Sequence, residues 1–114
     1  MRNLLEETIE ELRLHNKTLS DIIFITSEPL SGKRYNCKVN EEQLQRLLDV
    51  DYDNGFGAEE IDPDLKLVGA DFWLERHSYD GSEWWEFKEL PVYKEELNHA
   101  FDKSLILTRQ FVDW

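Results

Sequence analysis

Apolar residues recur every three or four positions at the start of the chain, and acidic residues fill most positions between them. This pattern predicts an amphipathic helix over residues 2–15. Asn3 can cap the helix, because its side-chain oxygen can accept a hydrogen bond from a backbone N–H of the first turn. His15-Asn16-Lys17 is expected to end it, since Asn tolerates the left-handed conformation and cations favour a helix C-terminus. The apolar positions are Leu4, Leu5, Ile9 and Leu12.

Two strand patterns follow the helix. Residues 21–26 form a β-branched and aromatic run, which predicts a strand suited to a central position. Tyr35, Cys37 and Val39 alternate with polar residues, which predicts a second strand with one buried face and places Cys37 on that face. We expect the two strands to form a hairpin through residues 27–33.

A second, shorter helix is expected next. Asn40 and Gln43 have the spacing of a capping box, in which each side chain bonds to the backbone N–H of the other residue. The helix should continue through Leu44, Leu47 and Leu48. Residues 49–64 are acidic and interrupted by Gly and Pro, which predicts an exposed loop.

The most distinctive local pattern is a hairpin over residues 71–90. Asp80-Gly81 lies between two aromatic runs and is typical of a two-residue turn. Such a turn pairs Tyr79 with Ser82 and gives the hairpin two different faces. The face expected to pack on the core carries Phe72, Leu74, Trp85 and Phe87. The other face carries Trp73, Glu75, His77, Trp84, Glu86 and Lys88.

The end of the chain is less regular. Tyr93, Leu97, Ala100 and Phe101 suggest a helix, and residues 105–114 either extend it or form a last strand. Together, the elements predict a single α+β domain spanning the whole chain. We expect a small antiparallel sheet of about four strands, including the hairpin, with two to three helices packed on one face.

The composition fits one domain with a core of its own. Of 114 residues, 40% are apolar, and six Phe, four Trp and four Tyr supply large side chains for burial. A single cysteine cannot form an internal disulfide and suits a reducing cytoplasm. The first residues do not have the pattern of a signal peptide. No apolar run reaches the roughly 20 residues that a membrane span needs, so no membrane association is expected.

The charge is concentrated in the middle of the chain. Of the formal net charge of −12, residues 41–89 contribute −11, from fifteen acidic and four basic side chains, whereas residues 1–40 are neutral. Negative charge at this density repels nucleic acid and attracts basic partners. The charge therefore predicts a basic protein surface as the partner and excludes direct nucleic-acid binding.

Calcium binding is the alternative role for the acidic loop. Four acidic residues occupy the first, third, fifth and twelfth positions of an EF-hand-like loop, whose oxygen ligands suit Ca²⁺. However, the sixth position requires Gly and holds Asn54, and Pro63 disfavours the helix that should follow. The other reading is a solvated acidic loop, in which case no metal or cofactor is expected. The candidate ligands are Asp49, Asp51, Asp53 and Glu60.

The second hairpin face offers an interface. Trp73 and Trp84 could anchor a partner while Glu75 and Glu86 engage its cations. Alternatively, the sheet is covered on both sides and these tryptophans belong to the core. The direct opposition of the two glutamates favours solvent or a cationic partner, because like charges facing each other are unfavourable. In that arrangement the face could also serve as a self-interface in a homodimer.

Catalysis has little support in the sequence. Glu75, His77, Asp80 and Glu83 fall near the hairpin tip and could be imagined as acid and base. No pattern indicates a positioned nucleophile or an oxyanion hole, so we expect a protein that is not an enzyme.

Residues 69–88 and 53–59, with the opening acidic helix and the Asn-Lys-Thr-Leu that follows it, resemble small uncharacterised proteins encoded by phages and prophages of Gram-positive bacteria. With its size and acidity, the chain is similar to anti-CRISPR proteins, several of which occupy the DNA-binding surface of a Cas nuclease. The resemblance implies a DNA-mimicking inhibitor of a host defence nuclease, in the bacterial cytosol, as monomer or homodimer. The expected partner-binding residues are Asp49, Asp51, Asp53, Glu59, Glu60, Asp62, Asp64, Trp73, Glu75, Trp84 and Glu86.

Overall fold

The computed structural model of the chain describes residues 1–28, 32–53 and 59–107. It has the predicted α+β class, with a five-stranded antiparallel sheet and a two-stranded ribbon. The elements are β1 (Arg2–Asn3), α1 (Leu4–Leu14), β2 (Ile22–Ser27), β3 (Tyr35–Lys38), α2 (Glu41–Leu48), β4 (Asp51–Tyr52), β5 (Lys66–Gly69), β6 (Phe72–Tyr79), β7 (Ser82–Glu89) and α3 (Lys103–Ile106). The strand order of the larger sheet is β3-β2-β5-β6-β7.

Both predicted N-terminal helices form with the predicted caps. The Asn3 side chain accepts a hydrogen bond from the backbone N–H of Glu6 (3.1 Å), and Asn16 lies just past α1 with a φ of 60°. At α2, Asn40 and Gln43 make the reciprocal bonds of a capping box. These short-range bonds satisfy backbone groups that a helix end leaves free, so the local sequence alone fixes where each helix begins.

The β6–β7 hairpin has the predicted register. Tyr79 faces Ser82 and Arg76 faces Trp85 across the two strands. The turn residues Asp80 and Gly81 have φ angles of 52° and 86°. Positive φ at both positions is the property of the turn that matches the twist of paired strands. The prediction that Phe72, Leu74, Trp85 and Phe87 face the core is confirmed.

Two strand pairings were not predicted. β5, only four residues long, pairs with both β2 and β6 and completes the middle of the sheet. β4 pairs with β1, so part of the predicted acidic loop is a strand that ties the start of α1 to the end of α2. The pairing buries Tyr52 to 2% exposure. Strands of two to four residues carry too little alternation to be recognised in a sequence.

β2 is central, as predicted, and pairs with β3 as the expected hairpin. The prediction of a buried face on the second strand is wrong, because Tyr35 and Cys37 are both exposed. β3 is an edge strand of the sheet, and its side chains lie outside the hydrophobic core. Alternation in this strand therefore reflects the pleat and not burial.

The predicted helix over residues 93–101 does not form. The segment contains a single 3₁₀ turn at Glu95–Leu97, followed by the one-turn α3, and neither has a buried residue. Short amphipathic helices are stabilised mainly by packing of their apolar face. None of the described residues of this segment is buried, so its apolar face gains no packing that would stabilise a helix. Residues 108–114 lie outside the described residues.

The core lies between one face of the larger sheet and helices α1 and α2. Leu12, Leu44, Leu67 and Leu74 are completely buried there, one from each helix and one from each of two strands. No helix among the described residues is long and apolar enough to cross a membrane. The opposite face of the larger sheet carries none of the helices that contribute to this core.

Candidate functional site

A buried ion cluster joins helix α1 to the β6–β7 hairpin. The Arg76 side chain is 2% exposed, and its guanidinium lies between the carboxylates of Glu7 (3.2 Å) and Glu83 (3.1 Å), which are equally buried. Arg2 lies 3.5 Å from the same Glu7 at the cluster's outer side. Charges at this depth are tolerated only when they are paired. Arg76 therefore fixes a helix residue and a strand residue in one position.

Aromatic side chains enclose this cluster. The Arg76 guanidinium carbon lies 4.7 Å from the ring centroid of Trp85 and 5.6 Å from that of Tyr52. The Tyr52 hydroxyl donates to Glu7, and the Trp85 indole N–H donates to the hydroxyl of Thr8 at 2.8 Å. Burial, and then the hydrogen bond with Glu7, raises the pKa of Tyr52 above its ordinary 10.0. The hydroxyl is thereby kept in its donating form.

The same glutamate covers part of an open strand edge. The backbone N–H of Trp85 points away from β6, because its pair with Arg76 is of the kind that exchanges no backbone hydrogen bonds. It lies 3.3 Å from the Glu7 carboxylate. An uncovered edge invites pairing with other chains. Helix α1 thus protects β7, the long outer strand, by means of one side chain.

The sequence carried only an indirect signal for this cluster. Arg76 lies two positions after Leu74, and Glu83 two positions before Trp85, and residues two apart on a strand point to the same face. The predicted register therefore already placed both charges on the core face. A charge at a core position requires a partner. That Glu7, far away in the sequence, is one of the partners depends on how α1 packs, which the sequence pattern does not contain.

Glu83 also holds the acidic segment against the sheet. Its two carboxylate oxygens accept from the backbone N–H groups of Glu60 (2.8 Å) and Ile61 (3.2 Å). On the same side of the hairpin, the Ser78 hydroxyl donates to Glu59 (2.7 Å). The ion cluster and the acidic segment are therefore mechanically connected through Glu83.

Five exposed carboxylates form what we call the acidic band. The Asn3 amide donates to both Asp49 and Asp51, at 2.9 Å each, and so links the end of α2 to β4. The Glu60 carboxylate accepts from the backbone N–H of Asp53 at 2.8 Å and links β4 to the segment near the hairpin tip. The band consists of Asp49, Asp51, Asp53, Glu59 and Glu60, all of which are exposed.

The acidic band is not neutralised internally. Among the described residues, none of its five carboxylates lies within 4 Å of a Lys, Arg or His nitrogen. The other two predicted loop residues, Asp62 and Asp64, are half-buried, and Asp62 accepts from the Ser27 hydroxyl. The band therefore directs its charge outward, while these two aspartates serve mainly to shape the loop.

The other predicted interface lies on what we call the open sheet face. Trp73 and Trp84 are there and do not belong to the core: Trp73 is half-buried and Trp84 is 38% exposed. His77 has one ring nitrogen 2.8 Å from Glu75 and the other 2.8 Å from Glu86. This ring separates the two glutamates that face each other in the hairpin. The face consists of Phe24, Thr26, Asn36, Lys38, Lys66, Val68, Trp73, Glu75, His77, Trp84, Glu86 and Lys88.

The predicted partner-binding set is divided between these two surfaces. Glu83 and Ser78, which hold the acidic band, face the helix side of the sheet, whereas Trp73, Glu75 and the other open-face residues alternate with them and face the opposite side. The expected partner-binding residues therefore do not form one continuous surface. Glu75 and Glu86 are also engaged by His77, and Lys88 lies 3.6 Å from Glu86. Of these two surfaces, the acidic band is the one whose described carboxylates have no basic partner within 4 Å.

The pKa of Glu75 provides a direct test of the open-face geometry. It lies below the ordinary 4.5, chiefly because the Trp73 indole N–H donates to the carboxylate at 2.7 Å and because His77 adds a second bond. A lowered folded pKa means that this carboxylate stabilises the fold above pH 4.5 and that its contribution is lost as the pH falls through the folded pKa. We expect Trp73→Phe to raise the pKa of Glu75, measured by NMR titration of the side-chain carboxyl carbon.

The control for this titration is Trp84→Phe, which changes the same residue type on the same face but removes no bond to Glu75. Trp84→Phe should leave the pKa of Glu75 unchanged. The acid-induced loss of stability that Glu75 contributes below its ordinary pKa of 4.5 should also become smaller in Trp73→Phe. An unchanged Glu75 titration in Trp73→Phe would show that the indole does not hold this carboxylate.

The described part of the proposed calcium loop does not bring its acidic side chains together as a metal site. Asp51 lies in a strand paired with β1, and its carboxylate shares the Asn3 amide with Asp49. Within residues 1–28, 32–53 and 59–107, no three Asp, Glu, His or Cys side chains come together as a metal site. Residues 54–58, in the middle of the proposed calcium loop, lie outside the described residues.

The imagined acid–base group is not assembled on one surface. Glu75 and His77 lie on the open sheet face, whereas Glu83 is buried on the opposite side within the ion cluster. Asp80 lies in the turn between the strands. Their separation leaves no convergent set of titratable groups among these four residues.

No family model, curated protein or solved structure matches this chain.

Proposed function

We propose that this chain is a non-enzymatic binding module whose acidic band docks on a basic, nucleic-acid-binding surface of a partner protein. One observation carries the proposal: five exposed carboxylates lie in a band that is tied together by hydrogen bonds and paired with no cation in the described residues. A carboxylate that is already paired with a cation of its own chain attracts the cations of a partner only weakly. The acidic band has its full charge available.

The physical basis is competition with phosphate groups. Double-stranded DNA carries one charge per roughly 1.7 Å of helix axis, and proteins that bind it present Lys and Arg along a cleft. A protein surface with clustered carboxylates is attracted to the same cleft over distances of about 10 Å at ordinary salt. Because Asn3, Ser78 and the Asp53 backbone already orient the band, less side-chain freedom is lost on docking.

The partner class follows from the resemblance stated above. A small acidic protein similar to those of phages and prophages would act in the bacterial cytosol, where host defence nucleases such as Cas nucleases carry long basic clefts. Occupying such a cleft excludes the DNA substrate without any chemistry. We therefore propose a defence nuclease as the partner and inhibition by DNA mimicry as the mechanism.

The experiment first captures the partner and then measures competition. Immobilised full-length protein is exposed to a Gram-positive bacterial lysate at about 50 mM salt, where electrostatic binding is strong, and retained nucleases are identified by mass spectrometry. The purified nuclease is then bound to labelled duplex DNA, and the protein is added while fluorescence anisotropy reports release of the DNA. We expect the wild-type protein to displace the DNA.

Neutralising the acidic band should remove this activity. The variant Asp51→Asn/Asp53→Asn/Glu59→Gln/Glu60→Gln keeps the oxygen acceptors that order the segment but removes four charges. We expect at least roughly 30-fold more of this variant than of the wild-type protein to be needed for displacement of the DNA. The reason is that each exposed charge pair contributes up to about 1 kcal/mol to binding.

The matched control removes four charges elsewhere: Glu41→Gln/Glu42→Gln/Glu95→Gln/Glu96→Gln. All four are exposed and lie outside the acidic band, so displacement should change by no more than about threefold. Equal losses in the two variants would mean that net charge and not the band governs binding. A wild-type protein that leaves DNA on the nuclease contradicts the proposal.

A further inference from the structure

The segment after β7 exposes an unusual amount of apolar surface. Eight large apolar side chains in residues 90–107 are between 49% and 74% exposed. Contiguous apolar patches beyond a few hundred Å² are rare on monomeric proteins and mark interaction sites. The eight are Leu90, Val92, Tyr93, Leu97, Phe101, Leu105, Ile106 and Leu107.

The exposed area is of the size that an interface requires. If each of these side chains presents roughly 200 Å² when free, the eight together expose on the order of 1,000 Å², compared with about 800 Å² per partner in a standard interface.

The open sheet face offers a complementary surface on the same chain. Directly paired residues of an antiparallel sheet lie on one face, and the pairings place Phe24, Val68 and Trp73 side by side across three neighbouring strands. Lys38 extends this row at one edge and Lys88 at the other. The result is an apolar strip with a cation at each end.

The charges of the two surfaces are complementary. In a chain of net charge −12, the open sheet face carries three lysines, and among the described residues Lys38 and Lys66 have no carboxylate within 4 Å. Exposed acids in the segment after β7 are Glu95, Glu96 and Asp102, which outnumber its two exposed lysines, Lys94 and Lys103, and give residues 90–107 a formal net charge of −1. A weakly acidic, apolar segment is therefore complementary in sign to an apolar strip with a cation at each end.

We propose that residues 90–107 of one chain cover the open sheet face of a second copy, and that the exchange is reciprocal, giving a symmetric homodimer. In such a two-fold symmetric dimer the same contact occurs twice, so the segment and the open sheet face are covered in both copies. Within its own chain the segment leaves the end of the hairpin, where the backbone N–H of Leu90 donates to the backbone carbonyl of Asp71 at 2.8 Å, and its apolar side chains remain exposed. The inference does not rest on the proposed function. The acidic band, on the other side of the sheet, stays free in both copies.

Sedimentation equilibrium of the full chain tests the association. Between about 5 and 500 µM, the range in which interfaces of modest size assemble, we expect a monomer–dimer equilibrium. Leu97→Ser/Phe101→Ser, in the segment, and Val68→Lys, on the open sheet face, should each raise the dimer dissociation constant at least about 30-fold. The matched control is Leu14→Ser/Leu47→Ser, which removes two exposed leucines (76% and 52%) that lie outside both surfaces. This control should leave the dimer dissociation constant unchanged.

Isotope-filtered NOEs in a mixture of labelled and unlabelled wild-type chains identify the contact even if a variant fails to fold. The proposal expects NOEs between chains that join Leu97 or Phe101 to Trp73 or Val68. A monomer at every concentration overturns it. So does a dimer whose contacts join the two copies of residues 90–107 without the sheet, and so do NOEs showing that the segment covers the sheet of its own chain.

Discussion

Arg76→Met should destabilise the fold by about 3–5 kcal/mol, because it leaves the carboxylates of Glu7 and Glu83 buried without their cation. Methionine fills most of the volume, so the loss reports charge and not a cavity. Small domains have only about 5–15 kcal/mol of stability in total. We expect the urea midpoint to fall accordingly and the melting temperature to drop by roughly 10–20 °C.

The control for this prediction is Arg46→Met, which removes an arginine from an ion pair of similar length. Arg46 lies 3.0 Å from Glu42, but both side chains are largely exposed. The change should cost no more than about 0.5 kcal/mol. If the two substitutions lower the urea midpoint equally, the Arg76 cluster is not the electrostatic centre of the fold. Both unfolding curves are recorded at one protein concentration, because association would shift them.

Trp85→Leu should cost about 3 kcal/mol. It opens a cavity in the core, leaves the Thr8 hydroxyl without the indole donor, and removes the ring that lies over the Arg76 guanidinium. The neighbouring Trp84→Leu should cost less than about 1 kcal/mol, since Trp84 is 38% exposed on the other face. Urea unfolding of the two variants compares the same substitution at adjacent positions.

This pair of variants tests which hairpin face carries the core. A slip of the hairpin by one residue would exchange the faces and reverse the order of the two effects. Comparable losses from both substitutions would contradict the one-sided packing of the sheet. The larger loss at Trp84 would contradict the register itself.

Those parts of the fold that depend on neighbouring residues could be predicted from the sequence. The cap at Asn3, the capping box at Asn40 and the turn at Asp80-Gly81 each involve bonds within a few residues, and all three formed as expected. The hairpin register followed from the turn alone. Because that register fixes the alternation, it also gave the core face of β6 and β7.

Features that depend on contacts between distant residues could not be predicted. The ion cluster joins Glu7, Arg76 and Glu83, and only the packing of α1 on the sheet brings the first to the other two. The β1–β4 ribbon likewise joins residues about fifty positions apart. The helix expected around Tyr93 and Phe101 does not form. Its sequence pattern is amphipathic, but its apolar side chains are exposed in the described chain, so no tertiary contact stabilises the helix.

The fold brings together only part of the expected partner-binding residues. The acidic residues from Asp49 to Glu60 came together as one exposed band because the Asn3 amide and the Glu60 carboxylate link their neighbours. The aromatic half, Trp73 and Trp84, lies on the other side of the sheet. Each hairpin strand alternates between both surfaces, so a charge count along the sequence combined two surfaces that the structure separates.

The salt dependence of the interaction between this protein and the captured nuclease tests the central claim most directly. If the acidic band replaces DNA in a basic cleft, the affinity of the wild-type protein should fall steeply between about 50 and 200 mM salt. The fall should be much shallower for the variant that neutralises Asp51, Asp53, Glu59 and Glu60. An affinity that stays constant over this range, or an equal slope for the two proteins, would contradict docking through the acidic band.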